Sequence, residues 1–214
     1  MMKFLKVFLP AIFLLTLSVA TNAFAGSKYA TIQLTPEQLQ SVNKISDFIN
    51  SFQSLKSDFT QISPKGQATR GVLYISKPGK LRFDYAAPNP LLIVSDGRWL
   101  TIKDRVREKG DQFPLSATPL RLVVSPKIDL LAETNVVAFE SNGGITSVSL
   151  ADRKDNLGGY ITMIYDEQLK QLQQWVIVDG KGRRTTVQLT NIEMGGKFDP
   201  KLFIGVINRG DTKF

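Results

Sequence analysis

Asp104, Glu108 and Asp111 form the tightest group of carboxylates in the chain and are the nearest it comes to a catalytic constellation. Paired carboxylates at a fixed separation can divide general acid and general base work, as in glycoside hydrolysis. Here Arg105, Arg107 and Lys109 are interleaved with them, the pattern of solvated ion pairs on a hairpin tip rather than of a desolvated acid–base pair. The chain contains no histidine and no cysteine. That removes the Ser-His-Asp and Cys-His nucleophile systems, histidine zinc sites and the commonest neutral-pH general base. It also removes thiol chemistry and any need for a redox partner in an oxidising compartment. No nucleophile elbow, P-loop or metal-ligand spacing occurs. A protein that is not an enzyme, with no cofactor and no metal, is expected.

What the residues can do instead is bind apolar matter. In Lys80–Tyr85 the alternation is strict: Leu81, Phe83 and Tyr85 fall on one face, Lys80, Arg82 and Asp84 on the other. A preceding strand, Gly71–Ser76, ends at Lys77-Pro78-Gly79, where proline sets φ and glycine permits the reversal. A proline-broken link, Ala86–Pro90, leads to Leu91–Ser95 and the hairpin signal Asp96-Gly97 before a strand over Arg98–Lys103. Strands are also expected around Phe59 and Gln61 and at Asn135–Glu140, Thr146–Leu150, Tyr160–Tyr165, Gln174–Val178 and Arg184–Ile192, with a final edge strand within Phe198–Ile207. Thr35-Pro36-Glu37-Gln38 is a helix start: an N-cap threonine, proline at the first position and glutamine three residues after the cap. Leu39, Val42, Ile45, Ile49 and Phe52 then keep helical spacing. Thr118-Pro119 repeats that chemistry before a short, mostly apolar helix over Pro119–Val124, stopped by Ser125-Pro126.

Many strands joined by short hairpins predict a mainly β fold with two or three helices, a curved antiparallel sheet forming an incomplete barrel. The helices would close it as a lid over an apolar cavity. The expected lining is Leu81, Phe83, Tyr85, Trp99, Ile161, Met163, Tyr165 and Trp175, with Leu39, Ile45, Leu120 and Val123 contributed by the lid. Each of these taken singly reads as ordinary packing; the set carries the binding reading.

The order G-x-L-x-I-x-K-P-G-x-x-R-F-x-Y, then a proline-containing link, then I-V-S-D-G, resembles the outer-membrane lipoprotein carrier (LolA) family. The resemblance is dense between Phe59 and Leu122 and runs from the helix near Thr35 to Phe203. It implies a carrier of acylated lipoproteins, loaded by an inner-membrane ATP-driven lipoprotein-releasing complex and unloaded to an outer-membrane acceptor. In that family an arginine before the proline holds the lid closed by hydrogen bonds to lid-helix backbone. The matching residue here is Lys77, and the backbone it would meet lies at about Val123 and Val124. Lysine keeps the charge and reach of arginine but loses the planar fork of donors. A latch of this kind has a physical purpose. Burying an acyl chain of about fifteen methylenes at about 0.8 kcal/mol each is worth on the order of 12 kcal/mol. A rigid pocket would not release such a guest, so lid surface must reoccupy the space when lipid leaves.

Residues 1–25 read as a cleaved signal peptide: Lys3 and Lys6, an apolar run over Val7–Val19, and Ala23-Phe24-Ala25 as the cleavage site. A single carrier domain over 26–214, a periplasmic location and a monomeric state are expected. The precursor carries +8, and loss of Lys3 and Lys6 leaves +6, a balance suited to anionic membrane surfaces or an acidic partner. Nucleic acid is not an expected partner, because the basic residues are dispersed and no binding motif occurs. A carrier of another lipid on the same fold, or a scaffold filled by its own side chains, remains open at this level.

Overall fold

The structure, a computed structural model, describes residues 29–107, 109–153 and 159–205; the segment read as a signal peptide and Glu108 lie outside them. Helix α1 spans Pro36–Asn50 and begins as its sequence requires. The Gln38 N–H donates to Thr35 Oγ1 at 3.4 Å, and the Thr35 N–H donates to Gln38 Oε1 at 2.9 Å, so two otherwise orphaned donors are satisfied.

Among the described residues, eleven strands follow in one sheet. Six precede the short helices: β1 Ser54–Ile62, β2 Ala68–Ser76, β3 Lys80–Tyr85, β4 Leu91–Asp96, β5 Trp99–Asp104 and β6 Gly110–Pro114. Then come α2 Arg121–Val124 and α3 Leu130–Glu133. The remaining strands are β7 Thr134–Asn142, β8 Ile145–Asp152, β9 Tyr160–Asp166, β10 Gln171–Val178 and β11 Arg184–Met194. The order is β6-β5-β4-β3-β2-β1-β11-β10-β9-β8-β7, two meanders joined where β1 pairs with β11. Neighbours are antiparallel throughout. β6 and β7 stand at opposite ends of the order, so the curved sheet is an unclosed barrel.

The alternation read in β3 is the observed one, with Leu81, Phe83 and Tyr85 buried and Lys80, Arg82 and Asp84 half-buried. Curvature brings β3 to β10, four places away in the sheet, with the Phe83 and Trp175 rings 6.3 Å apart and edge-on. Gly71 permits this aromatic layer. It pairs with both Phe59 and Tyr85, and a Cβ there would lie 2.2 Å from the Asp84 carbonyl oxygen and 2.8 Å from the Phe59 ring. Phe59 instead lies across β2 and meets Phe83 and Tyr85 edge-to-face, each at 5.1 Å.

Four elements differ from expectation, and two of them, β6 and α3, answer to no strand or helix expected from the sequence. Thr118 does not cap a helix: its hydroxyl donates to the Leu115 carbonyl at 2.9 Å, closing a 3₁₀ turn over Leu115–Ala117, and α2 starts later, after Leu120. The expected C-terminal strand is a 3₁₀ turn over Pro200–Phe203, capped by Asp199. Proline lacks the N–H a strand ladder needs. Phe198 packs on Tyr74 at 5.4 Å, Phe203 is buried, and Arg82 Nη1 donates to the Leu202 carbonyl at 3.1 Å. The segment thus straps the outer face of β2–β5. Val206 and Ile207 lie outside the described residues.

Candidate functional site: a helical cover on an aromatic concave face

The concave face is covered by the three helices. α1 buries Val42, Ile45, Phe48 and Ile49, with Phe52 just beyond its end. Phe48 meets Phe52 at 5.9 Å and Tyr165 of β9 at 6.3 Å, both edge-on. Leu120, Leu122, Val123 and Val124 are buried beside it, as is Leu130 of α3. Leu81, Phe83, Tyr85, Ile161, Met163 and Trp175 face this cover and belong to one continuous core. The expected lining residues and the lid residues Ile45, Leu120, Val123 and Val124 are therefore brought together.

Two expected members are not. Trp99 is 38% exposed and lies on the outer face. Its neighbour Leu100 pairs with Ser95, the partner of Leu81, so Leu100 takes the inward position and Trp99 points away. Leu39, also 38% exposed, sits in the first turn of α1, before the helix reaches the sheet. Phe48 was absent from the expected stripe although it stands three residues after Ile45, a spacing that places both on one helix face.

Lys77 is 9% exposed, and its ammonium donates to the carbonyl of Ile49 in the last turn of α1. It lies 4.1 Å from the centroid of the Phe52 ring. A carbonyl in a final helical turn has no partner within the helix and sits at the negative end of its dipole, so a cation is well placed there. The expected contact with Val123 and Val124 is made by a different group: the Gly79 N–H donates to the Val124 carbonyl at 2.8 Å. The β2–β3 turn thus holds the ends of both helices, α1 by a side chain and α2 by backbone.

Burial pushes the Lys77 ammonium down from the ordinary 10.5 to about 8. A form in which Lys77 reaches solvent binds more protons between those values. The electrostatic cost of burying the charge is present in full below about pH 8 and disappears as pH rises toward 10.5. The melting temperature is therefore expected to rise across that window relative to Lys77→Met. Parallel melting profiles for the two proteins would contradict this.

Further ties hold the cover. Asn50 donates to the Ile128 carbonyl and accepts from its N–H, both at 2.8 Å, and Ser46 Oγ accepts from the Leu130 N–H at 3.2 Å. Lys44 pairs with Glu167 at 2.7 Å, and Thr146 donates to the other oxygen of that carboxylate at 2.9 Å. Arg121 of α2 binds Glu133 at 3.1 Å and Asp152 at 3.2 Å; Asp152 is 6% exposed. These partners lie far away in sequence and carry no local signal. Arg121→Leu leaves the buried Asp152 carboxylate without its cation and is expected to cost about 2 kcal/mol by thermal or urea melting, Arg121 itself being partly solvated. Adding Asp152→Asn to that variant should recover part of the loss; a strictly additive double variant would show that the two residues do not interact.

The family profile described as "Outer membrane lipoprotein carrier protein LolA" matches residues 50–204, most of the chain. This chain belongs to the LolA family. Among its relatives, an outer-membrane lipoprotein carrier protein of Pseudomonas paraeruginosa is 28% identical over 173 residues, covering 76% of this chain and 81% of its own. One from Chromohalobacter salexigens is 27% identical over 196 residues, covering 86% and 91%. Among solved structures, a putative outer membrane lipoprotein-sorting protein domain from Vibrio parahaemolyticus aligns with a TM-score of 0.48 at 8% identity, over 78% of this chain and 96% of that one. Among the described residues, no helix of this LolA-family chain is long and apolar enough to cross a membrane.

Proposed function

We propose that this chain is a periplasmic carrier that takes up the acyl chains of lipoproteins released from the inner membrane and delivers them to the outer membrane. Residues 1–25 would be removed on export. An inner-membrane ATP-driven releasing complex would load it, and an outer-membrane acceptor would receive the cargo. The observation that carries this reading is the pairing of an aromatic concave face with a helical cover fastened at Lys77. Val42, Ile45, Ile49 and Val123 share one buried core with Phe83, Met163 and Trp175, and the same surface offered to an acyl chain would be worth about 0.8 kcal/mol per methylene. Helix and lipid compete for one site, so affinity stays reversible. The chain carries no bond-making step in this scheme: its work is the exchange of one apolar contact for another.

Native mass spectrometry of the protein purified from its host periplasm without detergent tests the reading. Co-purified acylated protein is the expected result. Bound phospholipid or quinone in its place would make it a carrier of another lipid. A ligand-free protein that also fails to take up added lipoprotein would mean that the interior serves only its own packing.

A further inference from the structure

The turns of the sheet divide between two ends. Ile62 pairs with Ala68, Lys103 with Gly110 and Val178 with Arg184, and Ile62 also pairs with Thr186. The β1–β2, β5–β6 and β10–β11 turns therefore lie at one end of the sheet, and the Lys77 turn lies at the other. Each of these three turns carries net positive charge: Lys65 in the first, Arg105, Arg107 and Lys109 against Glu108 in the second, Lys181 and Arg183 against Asp179 in the third. Lys65, Arg107, Lys109, Lys181 and Arg184 are all exposed. Among the described residues, Lys65, Lys109, Lys181 and Arg184 make no ion pair, and Arg107 is 80% exposed with Asp104 3.8 Å away.

The β5–β6 tip adds an apolar element. Val106 is 80% exposed, between Arg105 and Arg107. The turn that presents it is ordered, because Asp104 Oδ1 accepts from the Val106 and Arg107 N–H groups, each at 2.9 Å. Arg105 is tied back to Asp84 at 2.7 Å and to the Tyr85 carbonyl at 2.9 Å, which fixes the base of the tip.

We propose that this end of the sheet docks on an anionic bilayer surface, the cations meeting lipid phosphates and Val106 entering the headgroup layer. The charge is spread over separate turns rather than gathered in a pocket, which suits a planar array of like charges better than a single anionic group. An apolar side chain flanked by arginines at the projecting tip suits the boundary between headgroup and acyl layers. The Lys77 turn lies at the opposite end of the sheet, so docking would leave it in solution. The inference does not depend on which guest the barrel carries.

Flotation of the mature protein with vesicles tests it. Binding is expected to vesicles containing about one third phosphatidylglycerol in phosphatidylcholine and not to phosphatidylcholine alone, and it should fade as salt rises to about 0.5 M. The combined variant Lys65→Glu, Arg107→Glu, Lys109→Glu and Lys181→Glu should bind at least roughly tenfold more weakly. Val106→Ser, which leaves the charge unchanged, should bind several-fold more weakly. Arg98→Glu with Lys127→Glu, outside this end, should change binding less than about twofold. Absence of wild-type binding to the anionic vesicles would overturn the proposal. So would an equal loss per reversed charge in the combined variant, which reverses four cations, and in the Arg98/Lys127 control, which reverses two, because that would mean attraction by net charge alone. Retention of full binding by Val106→Ser and the combined variant would overturn it as well. Binding of an acidic protein partner at these turns with no vesicle binding would replace it.

Discussion

Lys77→Leu should slow the release of acylated cargo while leaving uptake intact. The ammonium is the donor that occupies the Ile49 carbonyl, and without it that end of α1 loses both its cation and its contact with Phe52. A hydrogen bond from a charged donor is worth about 1.5–3 kcal/mol. The gain is reduced by the desolvation that pulls the Lys77 pKa to about 8. Each kcal/mol lost from this tie changes the ratio of covered to uncovered forms roughly 5-fold. In the proposed scheme the cover competes with lipid, so weakening it favours the loaded form. Release to an acceptor membrane, followed by transfer of a fluorescently labelled lipoprotein, should slow by that factor. Equal release from mutant and wild type would remove Lys77 from the mechanism. Lys77→Arg supplies a planar fork that does not titrate in this range, so it should preserve release and abolish the rise in stability between about pH 8 and 10.5.

Trp175→Ala is expected to have the largest effect on stability. The indole is 1% exposed and closes the aromatic layer against Phe83 from across the barrel. Its removal costs the transfer energy of a large side chain and leaves a cavity that the sheet can only partly collapse, about 3–5 kcal/mol in all. In a domain of this size that lowers the melting temperature by roughly 10 °C. The site makes a second, opposite prediction. Among the described residues Trp175 Nε1 is buried with no acceptor, and in the proposed scheme the ring occupies volume that an acyl chain would take. Added acyl ligand should therefore raise the melting temperature more in Trp175→Ala than in wild type, since ligand binding stabilises by an amount that grows with affinity. A mutant that is destabilised but gains no more than wild type from ligand would show that Trp175 is packing only.

Much of this arrangement could be read in the chain. The period-2 pattern of Lys80–Tyr85 matches its observed burial residue for residue, because a strand with one covered face repeats its environment every second position. The Thr35–Gln38 capping box is a contact between residues three apart and was equally legible. Thr118 misled because the same residue type can donate backward to a preceding turn as readily as accept forward from a helix. Trp99 misled because the Asp96-Gly97 turn marks a hairpin without stating which of the next two residues turns inward. The pairing of Leu100 with Ser95 decides that.

By itself, the sequence determined most of the strands, the first helix, the curved antiparallel class and the exclusion of histidine and thiol chemistry, and its motif pointed to the LolA family. Each follows from residue types or from spacings within one element. Only the tertiary structure decided what Lys77 holds, for the Ile49 carbonyl is 28 residues away and belongs to α1 rather than to the expected α2. It alone paired Arg121 with Asp152, 31 residues on, and laid Phe198 and Phe203 over the outer face instead of along an edge. Backbone carbonyls and buried carboxylates acquire partners only when curvature brings distant elements together, and no local periodicity encodes that meeting.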